Sequence, residues 1–97
     1  MHTVEWTIEV NEGTSKQDIL RGLEATAPDY KGCAGLIRTY LGLTANGKSV
    51  VEMSLWQSKA AADQFFDHTW ETGVLRRWQS APMHRHDWAT TIVVENG

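Results

Sequence analysis

Apolar and polar residues alternate from the start of the chain. Val4, Trp6, Ile8 and Val10 fall on one side and Thr3, Glu5, Thr7 and Glu9 on the other. A period of two predicts a half-buried strand over 3–10. Asn11-Glu12-Gly13 ends it. Thr14 or Ser15 is placed to cap a helix, with Gln17 or Asp18 three residues on as in a capping box. Ile19, Leu20, Leu23 and Ala27 then form a stripe at helical spacing. Ala27-Pro28 closes that helix, because the residue before proline avoids helical geometry.

Two further strands are predicted over 35–44 and 48–57, joined by Ala45-Asn46-Gly47. Asn-Gly accepts positive φ, so this joint reads as a hairpin. Ser58 caps a second helix, in which Ala61 with Phe65, and Ala62 with Phe66 and Trp70, are spaced i, i+4. Gly73 is expected to break it. Val74, Leu75 and Trp78 make a further helical piece, and Ala81-Pro82 stops that. The last strand is expected over 83–94, ending in the β-branched run Thr90, Thr91, Ile92, Val93, Val94.

The order strand, helix, strand, strand, helix, strand is the split βαβ arrangement. It predicts an α+β, ferredoxin-like βαββαβ fold in one domain over 1–97, with a four-stranded antiparallel sheet and its helices on one face. If the hairpin pairs even positions with even, one sheet face carries Ile37, Leu41, Leu43, Val51, Met53 and Leu55. The other then carries Leu36, Arg38, Tyr40, Glu52, Ser54 and Trp56. Two helices cover only one face, and both hold large apolar side chains. A second copy covering the other face is the simplest solution, which predicts a homodimer through the sheet.

Composition narrows the function classes. The 97 residues suit one domain with a marginal core, and the single cysteine, Cys33, leaves no disulfide to brace it. Nine basic against twelve acidic residues give a net charge of −3. That balance, without a basic stripe, argues against nucleic-acid binding. No apolar run is long enough to span a membrane. A lone cysteine without an export signal points to the cytosol. Gly32, Gly35, Gly42 and Gly47 do not form a dinucleotide fingerprint, so neither a flavin nor a nicotinamide site follows from motif.

The chemistry-bearing residues gather on the mixed face. Arg38, Tyr40, Glu52 and Ser54 beside Trp56 suit a small-molecule pocket, aromatic-lined with a few polar groups. A cross-strand Arg38–Glu52 pair on a wet surface explains the same spacing. His84 and His86, two apart on a strand, share a face. They suit acid–base work, and equally solvated or hydrogen-bonded histidines. A metal site there would need a third ligand such as Glu52 or His68. Among the five tryptophans, Trp6, Trp56 and Trp88 fall on strands, where they serve as core or as walls that stack on a planar ring. Trp70 and Trp78 fall on the helical stretch, as does Phe65, a further ring for the pocket. Tyr30, in the loop after the first helix, is placed to guard an entrance. Cys33 has only Lys31 as a basic neighbour, so nothing marks a catalytic thiol.

The run Gly35-Leu36-Ile37-Arg38-Thr39-Tyr40, then Asn46-Gly47, Val50-Val51-Glu52-Met53-Ser54-Leu55-Trp56 and Ser58-Lys59-Ala60-Ala61-Ala62, resembles the dimeric α+β-barrel superfamily. It is similar in particular to small YdhR-type monooxygenases and to the antibiotic-biosynthesis monooxygenases. The resemblance implies a dimer closed sheet to sheet and a pocket between sheet and helices. It implies oxidation of electron-rich aromatic polyketides with molecular oxygen as co-substrate and no flavin, haem or metal. It also places Trp56 in the pocket. Two strand repeats earlier the family has an Asn that makes polar contacts, where this chain has Glu52.

These readings together predict a cofactor-independent monooxygenase for a small aromatic substrate. Glu52, His84 or His86 is the base, and Arg38 and Tyr40 stabilise the developing oxyanion. Trp6, Ser54, Trp56, Phe65 and Trp88 line the substrate site. The same pocket without oxygen predicts an isomerase, cyclase or dehydratase working by proton transfer. A non-catalytic dimeric binding protein is a third reading. Haem degradation, which needs a histidine on a helix or loop, has only His68 to offer.

Overall fold

The computed structural model describes residues 1–79 and 83–97. Strand β1 (His2–Glu9) leads to helix α1 (Lys16–Thr26) and a 3-10 turn (Ala27–Tyr30). Strands β2 (Leu36–Leu43) and β3 (Ser49–Trp56) follow, then helices α2 (Lys59–Phe65) and α3 (His68–Trp78), and strand β4 (Met83–Ala89). The four strands form one antiparallel sheet in the order β2-β3-β1-β4. This is the expected ferredoxin-like α+β fold, with β1 and β3 central.

Local chemistry explains the boundaries. The Ser15 hydroxyl accepts from the Asp18 amide at 3.0 Å and starts α1. Ser58 does the same for α2 through the Ala61 amide at 3.1 Å. Pro28 lies in the 3-10 turn, so the α-helix ends ahead of it and the chain tightens rather than unwinds. The second helical stretch divides at Phe66–Asp67, not at Gly73, which lies inside α3. The Asp67 carboxylate accepts from the Trp70 amide at 2.9 Å and nucleates a new helix there. A cap outweighs one glycine, whose penalty in a helix is only about 1 kcal/mol. The expected stop at Ala81-Pro82 lies outside the described residues.

The hairpin register differs from the expected one. Leu43 pairs with Val50, Leu41 with Glu52 and Thr39 with Ser54, so from Arg38 to Leu43 odd positions of β2 face even positions of β3, while a bulge between Leu36 and Arg38 returns Leu36 to its expected place opposite Trp56. The cause is one turn residue. Lys48 belongs to the turn, its amide donating to Asn46 Oδ1 at 2.9 Å, and the ladder closes where the Thr44 amide donates to the Ser49 carbonyl, also at 2.9 Å. Gly47 takes the positive φ, 73°, that this turn needs. Adding one residue to a turn transfers every side chain of a strand to the other face. Arg38 and Tyr40 therefore share a face with Val51, Met53 and Leu55, while Leu41 and Leu43 join Glu52, Ser54 and Trp56.

The helices cover the face of Val4, Trp6, Ile8, Val50, Glu52, Ser54 and Trp56. The interior has two clusters. One gathers Val4, Trp6, Tyr30, Trp56, Ala62 and Phe66. The other gathers Ile8, Ile19, Leu23, Val50, Val74 and Trp78. The last strand also stops short of its expected end. Thr90 donates its amide to the Met1 carbonyl as the last rung of the β1–β4 ladder. Beyond it, 91–97 is not strand. This tail reaches the outer sheet face, where Arg38 Nη2 holds Glu95 Oε1 at 2.7 Å.

Candidate functional site

Glu52 sits mid-strand in the sheet's centre, opposite Trp6 on β1 and Leu41 on β2. Its side chain is fully buried. A buried carboxyl requires partners, and Glu52 has one. The Tyr30 hydroxyl, carried in by the 3-10 turn, donates to Glu52 Oε1 at 2.6 Å. Glu52 Oε2 has no partner among the described residues. Burial raises the Glu52 pKa above the ordinary carboxylate range, and the Tyr30 bond and the charge of Arg77 pull it part of the way back. Burial, then the charge of Glu52, pushes the Tyr30 phenol far above its usual range, so Tyr30 is a proton donor in this bond.

Rings enclose this pair. Phe65 lies 5.1 Å from Tyr30 and 5.3 Å from Trp56, centroid to centroid. Phe66 packs edge-on against Trp6, Trp56 and Trp70. Trp70 lies 4.8 Å from Trp6. Trp56 is fixed by its indole N–H, which donates to Ser54 Oγ at 2.7 Å. The Trp6 indole N–H is buried without a partner among the described residues.

Two cavities reach this shell. One of about 390 Å³ is lined by Phe65, Trp70, Gly73, Val74, Arg77 and Asp29 among others. The second, about 230 Å³, is lined by Ala27, Tyr30, Leu36, Thr39 and Leu41 among others. At the mouth of the larger, Arg77 Nη1 donates to Thr26 Oγ1 at 2.8 Å and to Asp29 at 3.1 Å. A wider groove of about 590 Å³ between the turns at 9–14 and 46–49 holds neither an aromatic nor a buried acid.

The structure thus divides the expected site. Trp6, Glu52, Ser54, Trp56 and Phe65 come together on the helix side. Arg38, Tyr40, His84, His86 and Trp88 lie on the outer face, with His86 opposite Glu5 and His84 opposite Thr7. Neither histidine reaches Glu52 through the sheet, and Arg38 and Tyr40 cannot serve a reaction on the helix side. The proposed Arg38–Glu52 pair does not form. Arg38 instead holds Glu95 and touches Tyr40, and these contacts raise its pKa further. Tyr30, expected as a gate, is instead the carboxyl's partner. Its place before Lys31-Gly32 gave no sign of this, since the contact spans 22 residues.

Among the described residues no cluster of three His, Cys, Asp or Glu is placed to hold a metal ion. No imidazole faces the cavities. His68 is exposed at the start of α3, and His2 is bonded to Asp87 at 2.7 Å. No helix among the described residues is long and apolar enough to cross a membrane.

No family model and no curated protein matches the chain. Solved structures do. A variant of SnoaB, a cofactor-independent oxygenase from Streptomyces nogalater, superposes with a TM-score of 0.74 at 11% identity, covering 98% of this chain and 97% of that one. A dimeric ferredoxin-like protein of unknown function from Thermobifida fusca gives 0.68 at 12%, covering 93% and 92%. A variant of MhuD, with two manganese protoporphyrin IX molecules per active site, gives 0.69 at 12%, covering 99% and 100%. The chain shares the ferredoxin-like fold of the antibiotic-biosynthesis monooxygenase structures. Likeness at these identities defines fold, and function rests on the site.

Proposed function

We propose that this protein is a cofactor-independent monooxygenase for a small aromatic, polyketide-like substrate, and that Glu52 is its base. The observation that carries the reading is the Glu52 carboxyl. It is fully buried beside an aromatic cluster, held by Tyr30 through one oxygen and without a partner at the other among the described residues. Burial lifts its pKa above the ordinary carboxylate range, which makes it a stronger base than an exposed carboxylate. The SnoaB likeness supports oxygen as the co-substrate.

An anthrone-type CH2 exemplifies the substrate class. Glu52 takes one proton and leaves a ring-stabilised carbanion. The carbanion passes one electron to oxygen, and the radical pair closes a C–O bond. Glu52 returns its proton to the peroxide. Cleavage of the O–O bond with loss of the second C–H proton releases water and leaves a ketone. Trp56, Phe65 and Trp70 hold the ring and exclude water. Ser54 acts through Trp56 by fixing its indole. Tyr30 positions the carboxyl.

The outer face has a separate role in this reading. Ile37, Tyr40 and Trp88 are exposed there, beside half-buried Val51, Met53 and Leu55. A second copy packing sheet to sheet covers them, as the dimeric ferredoxin-like neighbour suggests. His84 and His86 then belong to the interface rather than to the chemistry. Replacing Leu55 and Trp88 with Glu should give a monomer by sedimentation.

Oxygen uptake by metal-free protein with a panel of anthrones and hydroquinones tests the activity. Uptake should exceed the no-protein rate and vanish in Glu52→Gln. Product formation without oxygen consumption would instead establish proton-transfer chemistry, and retained uptake in Glu52→Gln would remove the base from this role.

A further inference from the structure

Two unpartnered polar atoms in the aromatic cluster are complementary. Trp6 and Glu52 are register partners on β1 and β3 and share the helix face. Side chains so paired begin about 5 Å apart. Trp6 Nε1 is a donor with no acceptor, and Glu52 Oε2 an acceptor with no donor, among the described residues. Native interiors rarely leave such groups unpaired, and an exception signals a missing occupant or a functional role.

We infer that the Trp6 indole N–H and Glu52 Oε2 form a two-point receptor for one hydroxyl of the ligand. The oxygen accepts from Trp6, and its proton goes toward Glu52. The inference rests on the proposed role of Glu52 and deepens it. For a phenolic substrate, whose hydroxyl takes the place of the anthrone C–H as the proton source, it makes Trp6 a catalytic hydrogen-bond donor, stabilising the charge that develops on oxygen as its proton moves toward Glu52. It also sets the ligand class: an aromatic ring with a free hydroxyl, the corresponding methyl ether being rejected.

The other orphaned groups do not form such a pair. Trp78 Nε1 lies in the second cluster, with its ring against Gly22. Thr39 lines the smaller cavity, beside Tyr30. Trp6 is placed for access, because Trp70 packs on it and lines the 390 Å³ cavity. Displacement of the Trp70 ring would open a way from that cavity toward Trp6.

The test is calorimetric binding of 2-naphthol and 2-methoxynaphthalene to the intact protein, Trp6→Phe and Glu52→Gln. A site built around a hydroxyl should prefer the naphthol by about tenfold or more. Trp6→Phe keeps the ring, removes the N–H and should bring the preference close to parity. Bound naphthol should show the modest red shift of a hydroxyl hydrogen-bonded to a carboxylate in the intact protein and lose most of it in Glu52→Gln. Should Trp6→Phe not fold, the unaltered protein gives the answer by ¹⁵N NMR. The Trp6 indole signal should move with naphthol far more than with the ether, while that of Trp78 stays put. Equal affinity for the two ligands, binding of neither, or an unmoved Trp6 signal overturns the receptor and leaves it a site for ordered water. A hydroxyl preference without oxygen uptake from any substrate would keep the receptor and overturn the oxygenase.

Discussion

Replacing Tyr30 with Phe isolates the contact on which the site depends. The hydroxyl donates to Glu52 at 2.6 Å, and both side chains are buried. Its removal leaves neither carboxyl oxygen partnered among the described residues, because Oε2 already lacks a partner. Stranding a buried polar group costs about 1–3 kcal/mol. Phe is easier to bury than Tyr, which offsets part of this, so a net loss of about 1–2 kcal/mol is expected near neutral pH. In a domain this small, 1 kcal/mol corresponds to roughly 4–8 °C in Tm. The loss should grow with pH, because the bond favours the ionised carboxyl: the Tyr30 bond lowers the Glu52 pKa, and without it the pKa rises further. Urea unfolding followed by tryptophan fluorescence, at matched protein concentration and at pH 5 and pH 8, measures both effects. The pH-rate profile should move its acidic limb upward in parallel. In a Glu52→Gln background the pH dependence should disappear. A neutral or stabilising Tyr30→Phe, or a loss independent of pH, would refute the account of the pair.

Glu52→Gln should change how stability depends on pH. With its pKa raised on folding, Glu52 is still protonated in the folded chain where the unfolded chain has already ionised. Its contribution is therefore greatest below the ordinary carboxylate range and is lost as pH rises through the folded pKa, with a slope of at most about 1.4 kcal/mol per pH unit. The Gln variant should lack this decline in a series of urea titrations. The acid side has the opposite sign. Lys59 and Arg85 lower the pKa of Asp63, and His2 and Arg85 lower that of Asp87, so stability from these groups is lost as pH falls through their depressed values. Asp63→Asn with Asp87→Asn should flatten that limb and leave the other. Ser54→Ala strands the buried Trp56 N–H and should cost about 1–3 kcal/mol, with a changed tryptophan emission as its local signature. Gly35→Ala meets two obstacles, φ of 81° and a new Cβ 2.6 Å from that of Ala61. It should destabilise by about 1–3 kcal/mol and shift the Tm down accordingly.

Element types were legible because each is written locally. The alternation over 3–10 is strand β1 almost to the residue, and Ser15 and Ser58 cap the helices expected of them. Element ends were less so. Asp67 restarts a helix that Gly73 was expected to break, since its carboxylate satisfies an otherwise orphaned first-turn amide while a glycine merely weakens one turn. The site failed on parity. Whether Arg38 and Tyr40 join Glu52 or oppose it depends on whether Lys48 counts as strand or turn, and composition cannot settle a single residue of turn. Tyr30 was hidden for a different reason. Its partner lies across a tertiary contact from a 3-10 turn, with no periodicity to announce it. What the sequence did hold was the group itself: Glu52 on a strand among apolar neighbours is a local conflict, and such conflicts collect where function is.

The contrast between the two interior clusters carries that argument further. Ile8, Ile19, Leu23, Val50, Val74 and Trp78 show how this fold fills its interior when packing alone decides, with apolar side chains and, at Gly22, a position left bare for the Trp78 ring. A few residues along the same two strands, the interior carries the polar groups of Tyr30, Glu52 and Ser54. Leu at position 52 and Phe at position 30 would fill the same space with no polar group to satisfy, and replacing a buried polar pair by apolar residues is often neutral or stabilising. The double variant Tyr30→Phe, Glu52→Leu should therefore unfold at equal or higher urea concentration than the unaltered protein, while losing both naphthol binding and oxygen uptake. If instead it is less stable by more than the Tyr30→Phe change alone, the pair is a structural brace, and the chemistry must be sought on the outer face with His84 and His86.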